Sequence, residues 1–266
     1  MQFAEAGRIT LHFSHRRPES RRPPIVFVNS LGTDLRIWDA VADDLASDFP
    51  VLLYDKRGHG LSDLGGASCS IADHADDLDR LLDHVGATEV IVCGLSIGGL
   101  IAQQLAARRP DRVRCLVLCD TAHKIGTAEF WNQRIAAVER DGIESIAGGI
   151  LERWFTPAFR RRDPALFAGC RNMLIRQSPA GYAGSCAAVR DADHTELVAT
   201  IASPTLVLVG EEDGSTPPDL VRSMAELIPC ARFETIADAG HIPCVEQPAV
   251  LVARLRRFLH EQGLLR

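Results

Sequence analysis

The fold class predicted from this chain is α/β: a mostly parallel sheet flanked by helices, with a helical segment inserted between two strands. Three observations predict it. Short apolar runs of strand length recur along the sequence, amphipathic stretches at helical spacing lie between them, and one long segment breaks the alternation. The runs are Ile25–Asn29 ("IVFVN"), Val51–Tyr54 ("VLLY"), Val90–Cys93 ("VIVC"), Cys115–Cys119 ("CLVLC") and Thr205–Val209 ("TLVLV"). Each is nearly continuous in apolar residues, which suits strands covered on both faces, as in a parallel sheet.

The helical stretches follow from spacing. In "SIADHADDLDRLLDHVG" the residues Ile71, Ala75, Leu78, Leu82 and Val85 fall on one face with acids opposite. Ser70 can cap the start of that helix and Gly86 can end it. From about 121 to 194 no buried-strand run occurs. This stretch reads as helical and carries Trp131, Trp154 and many arginines. The expected organisation is therefore an α/β core of residues 1–120 and 195–266, with residues 121–194 packed on it as a helical cap.

Bulk composition narrows the function. The chain has 266 residues, of which 46% are hydrophobic, enough for one large core. A formal charge of -6 argues against general affinity for nucleic acid or an anionic membrane. No apolar run reaches the roughly 18–20 residues of a membrane span, and the N-terminus lacks an apolar signal core. The eight cysteines have neither zinc-site nor redox-motif spacing. Buried, reduced thiols in a cytoplasmic protein are the expectation.

Chemistry enters at "VIVCGLSIGGLIAQQLA". Gly94-Leu95-Ser96-Ile97-Gly98 fits G-x-S-x-G, between an expected strand and an expected helix running from Gly99 to about Arg108. The turn is tight enough to need small residues, and it presents Ser96 at the carboxyl end of the sheet beside a helix N-terminus. A serine nucleophile needs a base, and the base needs an orienting carboxylate. "LVLVGEEDGSTPP" offers Asp213 after a late strand, with Glu211 and Glu212 as neighbouring rivals. Asp213 lies further into the loop, before the turn-forming "GSTPP". "ADAGHIPCVEQP" places His241 in a loop after the strand-like "RFETI". The backbone N–H of Ile97 and, by position in "NSLGTD", that of Leu31 are the expected oxyanion donors.

With these residues in place the chain resembles the α/β-hydrolase superfamily over nearly its whole length. "YDKRGHGLSD" and "AGHIPCVEQP" match its loops. "NSLGTDLRIWD", "GLSIGGLIAQ", "DTAHKIGTAEFWNQRI", "RWFTPAF" and "GYAGSCAAVRDAD" together resemble the 3-oxoadipate enol-lactonases of the bacterial β-ketoadipate pathway. The resemblance implies hydrolysis of an anionic enol-lactone with no metal or organic cofactor, by a free-standing hydrolase. Ile97 stands where methionine is common in relatives, and only its N–H is needed there.

The substrate so implied carries a free carboxylate, for which an acidic protein must supply a cation. Trp131 and Arg134, three apart on an expected helix, share a face and could hold a flat ring and a carboxylate. Trp154 is expected in the lid core or as a wall of the pocket. Trp131, Arg134 and Trp154 are thus the expected substrate-binding residues. Another carboxylesterase or lactonase of the same fold would share Ser96, Asp213 and His241, and a lactone sensor is a further alternative.

Overall fold

Ahead of the first expected strand the chain forms a hairpin, β1 (Gln2–Ala6) and β2 (Ile9–Arg16), paired antiparallel with Ala4 opposite Leu11. No continuous apolar run marks it. In β2, Ile9, Leu11 and Phe13 are buried while Thr10, His12 and Ser14 are only half-buried, so its signal is alternation rather than a run. The computed structural model describes residues 1–17, 19, 21–66 and 69–265.

The expected strands follow. β3 (Ile25–Val28) leads through a 3-10 turn at Leu35–Trp38 into α1 (Asp39–Leu45), and then comes β4 (Val51–Tyr54). α2 (Ile71–His84) starts at Ser70, whose side chain accepts from the Asp73 N–H while Asp73 reaches back to Ser70. β5 (Val90–Leu95) runs into α3 (Ile97–Arg108), and β6 (Val113–Cys119) follows. α3 begins at Ile97, ahead of the expected Gly99. Glycine's low helix propensity is overridden there because both glycines pack against other backbone or side chains of the core.

Between β6 and β7 lie six helices: α4 (Ala128–Asp141), α5 (Glu144–Trp154), α6 (Pro157–Arg162), α7 (Pro164–Ile175), α8 (Pro179–Asp191) and α9 (Thr195–Val198). The chain then completes the sheet with β7 (Thr205–Gly210), α10 (Pro218–Leu227) and β8 (Ala231–Ile236), and closes with α11 (Pro243–Glu246) and α12 (Pro248–Glu261).

The eight strands form one sheet in the order β1-β2-β4-β3-β5-β6-β7-β8. Every pair from β4 to β8 is parallel. The central strands β3, β4, β5 and β7 are buried along their whole length, as continuous apolar runs require. Because the strands are parallel, the loops after β3, β5, β6, β7 and β8 all emerge at one edge of the sheet, where ligands bind in open α/β sheets. Six of the eight cysteines are buried, but Cys230 is exposed and Cys69 half-buried, so the expectation of uniformly buried thiols does not hold. Among the described residues no helix is long and apolar enough to cross a membrane.

Candidate active site

Ser96 sits between β5 and α3 with φ 58°, a left-handed conformation that a non-glycine residue holds only under constraint. The constraint is the surrounding backbone. The Ser96 N–H donates to the Cys119 carbonyl at 3.0 Å, and the Thr121 hydroxyl donates to the Ser96 carbonyl at 2.7 Å. A Cβ on Gly94 would lie 2.2 Å from the Gly98 carbonyl oxygen, and one on Gly98 would lie 2.2 Å from that of Val28. The small residues of the motif are therefore required by close backbone approach.

Ser96 and His241 border the same cavity, about 250 Å³ in volume. His241 follows β8 and is buried. Its Nδ1 lies 2.9 Å from Asp213 Oδ2 and 3.0 Å from Oδ1. Asp213 is held in turn by the Ser215 N–H at 2.7 Å, the Thr216 N–H at 3.1 Å and the Thr216 hydroxyl at 2.7 Å. Burial opposes the charge on Asp213, but the His241 ring and these hydrogen bonds outweigh it and hold the carboxyl below the ordinary range. The rivals Glu211 and Glu212 are exposed, and Glu211 accepts from the Thr235 hydroxyl instead. With Nδ1 directed at a carboxylate, the far nitrogen of His241 is free to take a proton.

Leu31 lines the cavity, and Ile97 occupies the first position of α3. Neither N–H donates to an acceptor among the described residues. Two buried groups fix the loop that carries Leu31. Lys56 Nζ donates to the Ser30 carbonyl at 2.7 Å, and the Gly32 N–H donates to His59 Nε2 at 2.9 Å. The Ser30–Leu31 peptide is trans, so a Ser30 carbonyl turned to Lys56 turns the Leu31 N–H the opposite way. Burial lowers the Lys56 ammonium to about 7, against the opposing pull of Asp55 and Asp34. Sequence reasoning took "DKRGHG" as a loop signature and gave Lys56 no role.

Helices α4, α5 and α8 roof the cavity with Trp131, Arg134, Arg153, Trp154 and Tyr182. Trp131 is buried, with its indole N–H spent on the Ile125 carbonyl at 2.6 Å, so it presents a wall. Arg134 lies over the Phe130 ring at 4.6 Å and the Trp131 ring at 5.0 Å. Arg153 is a cavity residue that sequence reasoning missed. It sits next to Trp154 in a helix and reads as a solvated charge, and only the fold turns it inward. No carboxylate lies within 4 Å of Arg134 or Arg153 among the described residues, although most other arginines are so paired. Arg153 holds its proton less tightly than usual, first through burial and then through repulsion by Arg134. The cavity thus combines aromatic walls with two cations lacking counter-ions, a receptor for an anion.

The roof is joined to the core by backbone. The His241 N–H donates to the Trp154 carbonyl at 2.9 Å, and Glu246 accepts from both the Thr156 N–H, at 2.9 Å, and the Gly240 N–H, at 2.8 Å. Arg153, Trp154 and His241 are therefore placed by one connected unit.

The chain matches the alpha/beta hydrolase fold family over residues 23–142 and 150–248. It is 35% identical to 3-oxoadipate enol-lactonase 2 of Acinetobacter baylyi over 86% of each chain. The crystal structure of the enol-lactonase from Burkholderia xenovorans superposes with a TM-score of 0.95 at 34% identity, covering 97% of this chain and all of that one. A thermophilic esterase from Thermogutta terrifontis, solved with malate bound, superposes with a TM-score of 0.90 at 31% identity, covering 96% of this chain and 94% of the other. By family match, identity and superposition together, the chain belongs to the α/β-hydrolase family, within its enol-lactonase group, and is a hydrolase.

Proposed function

We propose that the protein hydrolyses 3-oxoadipate enol-lactone to 3-oxoadipate, in the β-ketoadipate pathway of aromatic degradation, through a Ser96–His241–Asp213 acyl-enzyme mechanism. The observation that carries this reading is the pair Arg134 and Arg153, unneutralised over the cavity that Ser96 and His241 share. A lactone with a free carboxylate supplies the missing charge. The named enol-lactonases among the relatives point to the same chemistry.

In this mechanism His241 takes the Ser96 proton as Oγ attacks the lactone carbonyl. The Leu31 and Ile97 N–H groups receive the oxyanion, each worth about 3 kcal/mol in comparable sites. The ring C–O bond breaks, and the enolate oxygen departs with the proton from His241 while its carbon chain remains tethered to Ser96. An enol leaves more readily than an alkoxide. Water deprotonated by His241 then cleaves the ester, Ser96 recovers its proton, and the released enol tautomerises to the ketone. Asp213 keeps the His241 tautomer and stabilises the imidazolium.

The test compares freshly generated enol-lactone with p-nitrophenyl acetate as a neutral ester. A charge-assisted anchor is worth roughly 1.5–3 kcal/mol, so kcat/KM should favour the lactone by at least about 10-fold. Equal rates on both would make the protein a general carboxylesterase. Binding of the lactone with negligible turnover would make it a sensor.

Lys56 bears on the same reaction. Lys56→Met removes the donor that orients the Ser30–Leu31 peptide, and kcat should fall about 10-fold with KM nearly unchanged. The folded-state pKa of Lys56 lies below the unfolded one, so the unfolded chain binds more protons between about 7 and 10.5. The stability of the wild type relative to Lys56→Met should therefore rise with pH through that window, as denaturant melts would show. An unchanged kcat would remove Lys56 from the mechanism.

A further inference from the structure

A second buried carboxyl stands behind the histidine. Asp120 follows β6 with φ 48° and is fully buried. Its Oδ1 accepts from the Gly210 N–H at 2.8 Å. Its Oδ2 is buried and meets no donor among the described residues. Oxygen atoms of Asp120 and Asp213 and a ring nitrogen of His241 all lie within 4.8 Å of one another. A buried acceptor with no donor, close to another carboxylate, is an unstable arrangement, and a proton between the two oxygens resolves it.

The surroundings decide which acid carries that proton. Asp213 accepts from Ser215, from both groups of Thr216 and from His241, whereas Asp120 accepts from Gly210 alone. Charge therefore stays on Asp213. Burial pushes the Asp120 carboxyl well above the ordinary range, and the charge of Asp213 adds to the push. The other titratable groups near Asp120 are Cys119, the last residue of β6, and Cys244 on α11. Both are buried thiols whose pKa values are raised, so neither brings a charge at neutral pH.

We propose that Asp120 is the neutral partner of a carboxylic acid–carboxylate pair, donating the proton on its Oδ2 to Asp213 and so acting as a positioning residue for the Asp213–His241 couple. The pair presents one negative charge to His241, not two. That single charge fixes the orientation of Asp213 without raising the proton affinity of the base by a second ionised acid. The positioning role rests on the reading of Ser96, Asp213 and His241 as the reacting groups. The protonation of Asp120 does not.

Infrared difference spectroscopy tests the protonation separately from any activity. At neutral pH the wild-type protein minus Asp120→Asn should show the carbonyl stretch of a protonated carboxyl, shifted in heavy water. Absence of that band from the wild type overturns the proposal. The pH profile of kcat/KM on p-nitrophenyl acetate tests the consequence. Asn is neutral, like the acid it replaces, so the acidic limb should stay in place while kcat falls by less than about 10-fold. If the limb instead moves to lower pH, Asp120 is ionised in the wild type and the proposal fails. If the infrared band is present while the enol-lactone is not hydrolysed, the acid pair stands and only the substrate assignment is lost.

Discussion

Ser96→Ala is expected to lower kcat on the enol-lactone by at least about 10⁴-fold, the scale of nucleophile loss in serine hydrolases. The loss should be chemical, not structural. The elbow is held by backbone groups: the Ser96 N–H on Cys119, the Ser96 carbonyl on Thr121, and the glycines packed against Val28 and Thr121. None of these involves the Ser96 hydroxyl. Alanine occupies the same left-handed position at a cost similar to that of serine. The melting temperature should therefore stay close to the wild-type value, and a product analogue should still bind. Retention of turnover in a folded Ser96→Ala protein would sink the acyl-enzyme mechanism.

The second large effect concerns the two arginines. Arg134→Met and Arg153→Met should each raise KM for the enol-lactone by about 10- to 100-fold, as expected for loss of a charge-assisted hydrogen bond. On p-nitrophenyl acetate either change should be small. The two losses should not multiply, because each cation stands in the field of the other. With no ligand bound, Arg153→Met removes a half-buried cation and its repulsion with Arg134, so that variant should melt above the wild type. The advantage should shrink when a dicarboxylate is added, since the anion stabilises the intact pair more. Equal damage to both substrates would mean that the arginines shape the roof and do not read charge.

Much of this arrangement was legible in the sequence, for identifiable reasons. Continuous apolar runs mark strands buried on both faces, so β3, β4, β5 and β7 stood out. The hairpin of β1 and β2 did not, because half of its residues face outward and its pattern resembles polar chain. Ser96, Asp213 and His241 were found because the motif and the chain order constrain them, and the structure brings all three together. Leu31, Trp131, Arg134 and Trp154 also line the cavity. Arg153, Lys56 and Asp120 went unseen. Their importance lies in what is absent around them or opposite them: a missing counter-ion, a carbonyl contacted from 26 residues away, an acceptor with no donor. Such relations exist only after folding.

The junction between roof and core has a consequence for how this protein could be diversified. The Trp154 carbonyl holds the His241 N–H, and Glu246 grips Thr156 and Gly240 together. An insert exchanged with a relative at the β6 and β7 boundaries would sever that grip unless the loop from Gly240 to Glu246 were exchanged with it. Specificity and catalysis are then not separable modules here. New substrates should be reached more readily by substitution on α4, which lines the cavity and makes no hydrogen bond to His241 among the described residues, than by wholesale transplantation of the insert.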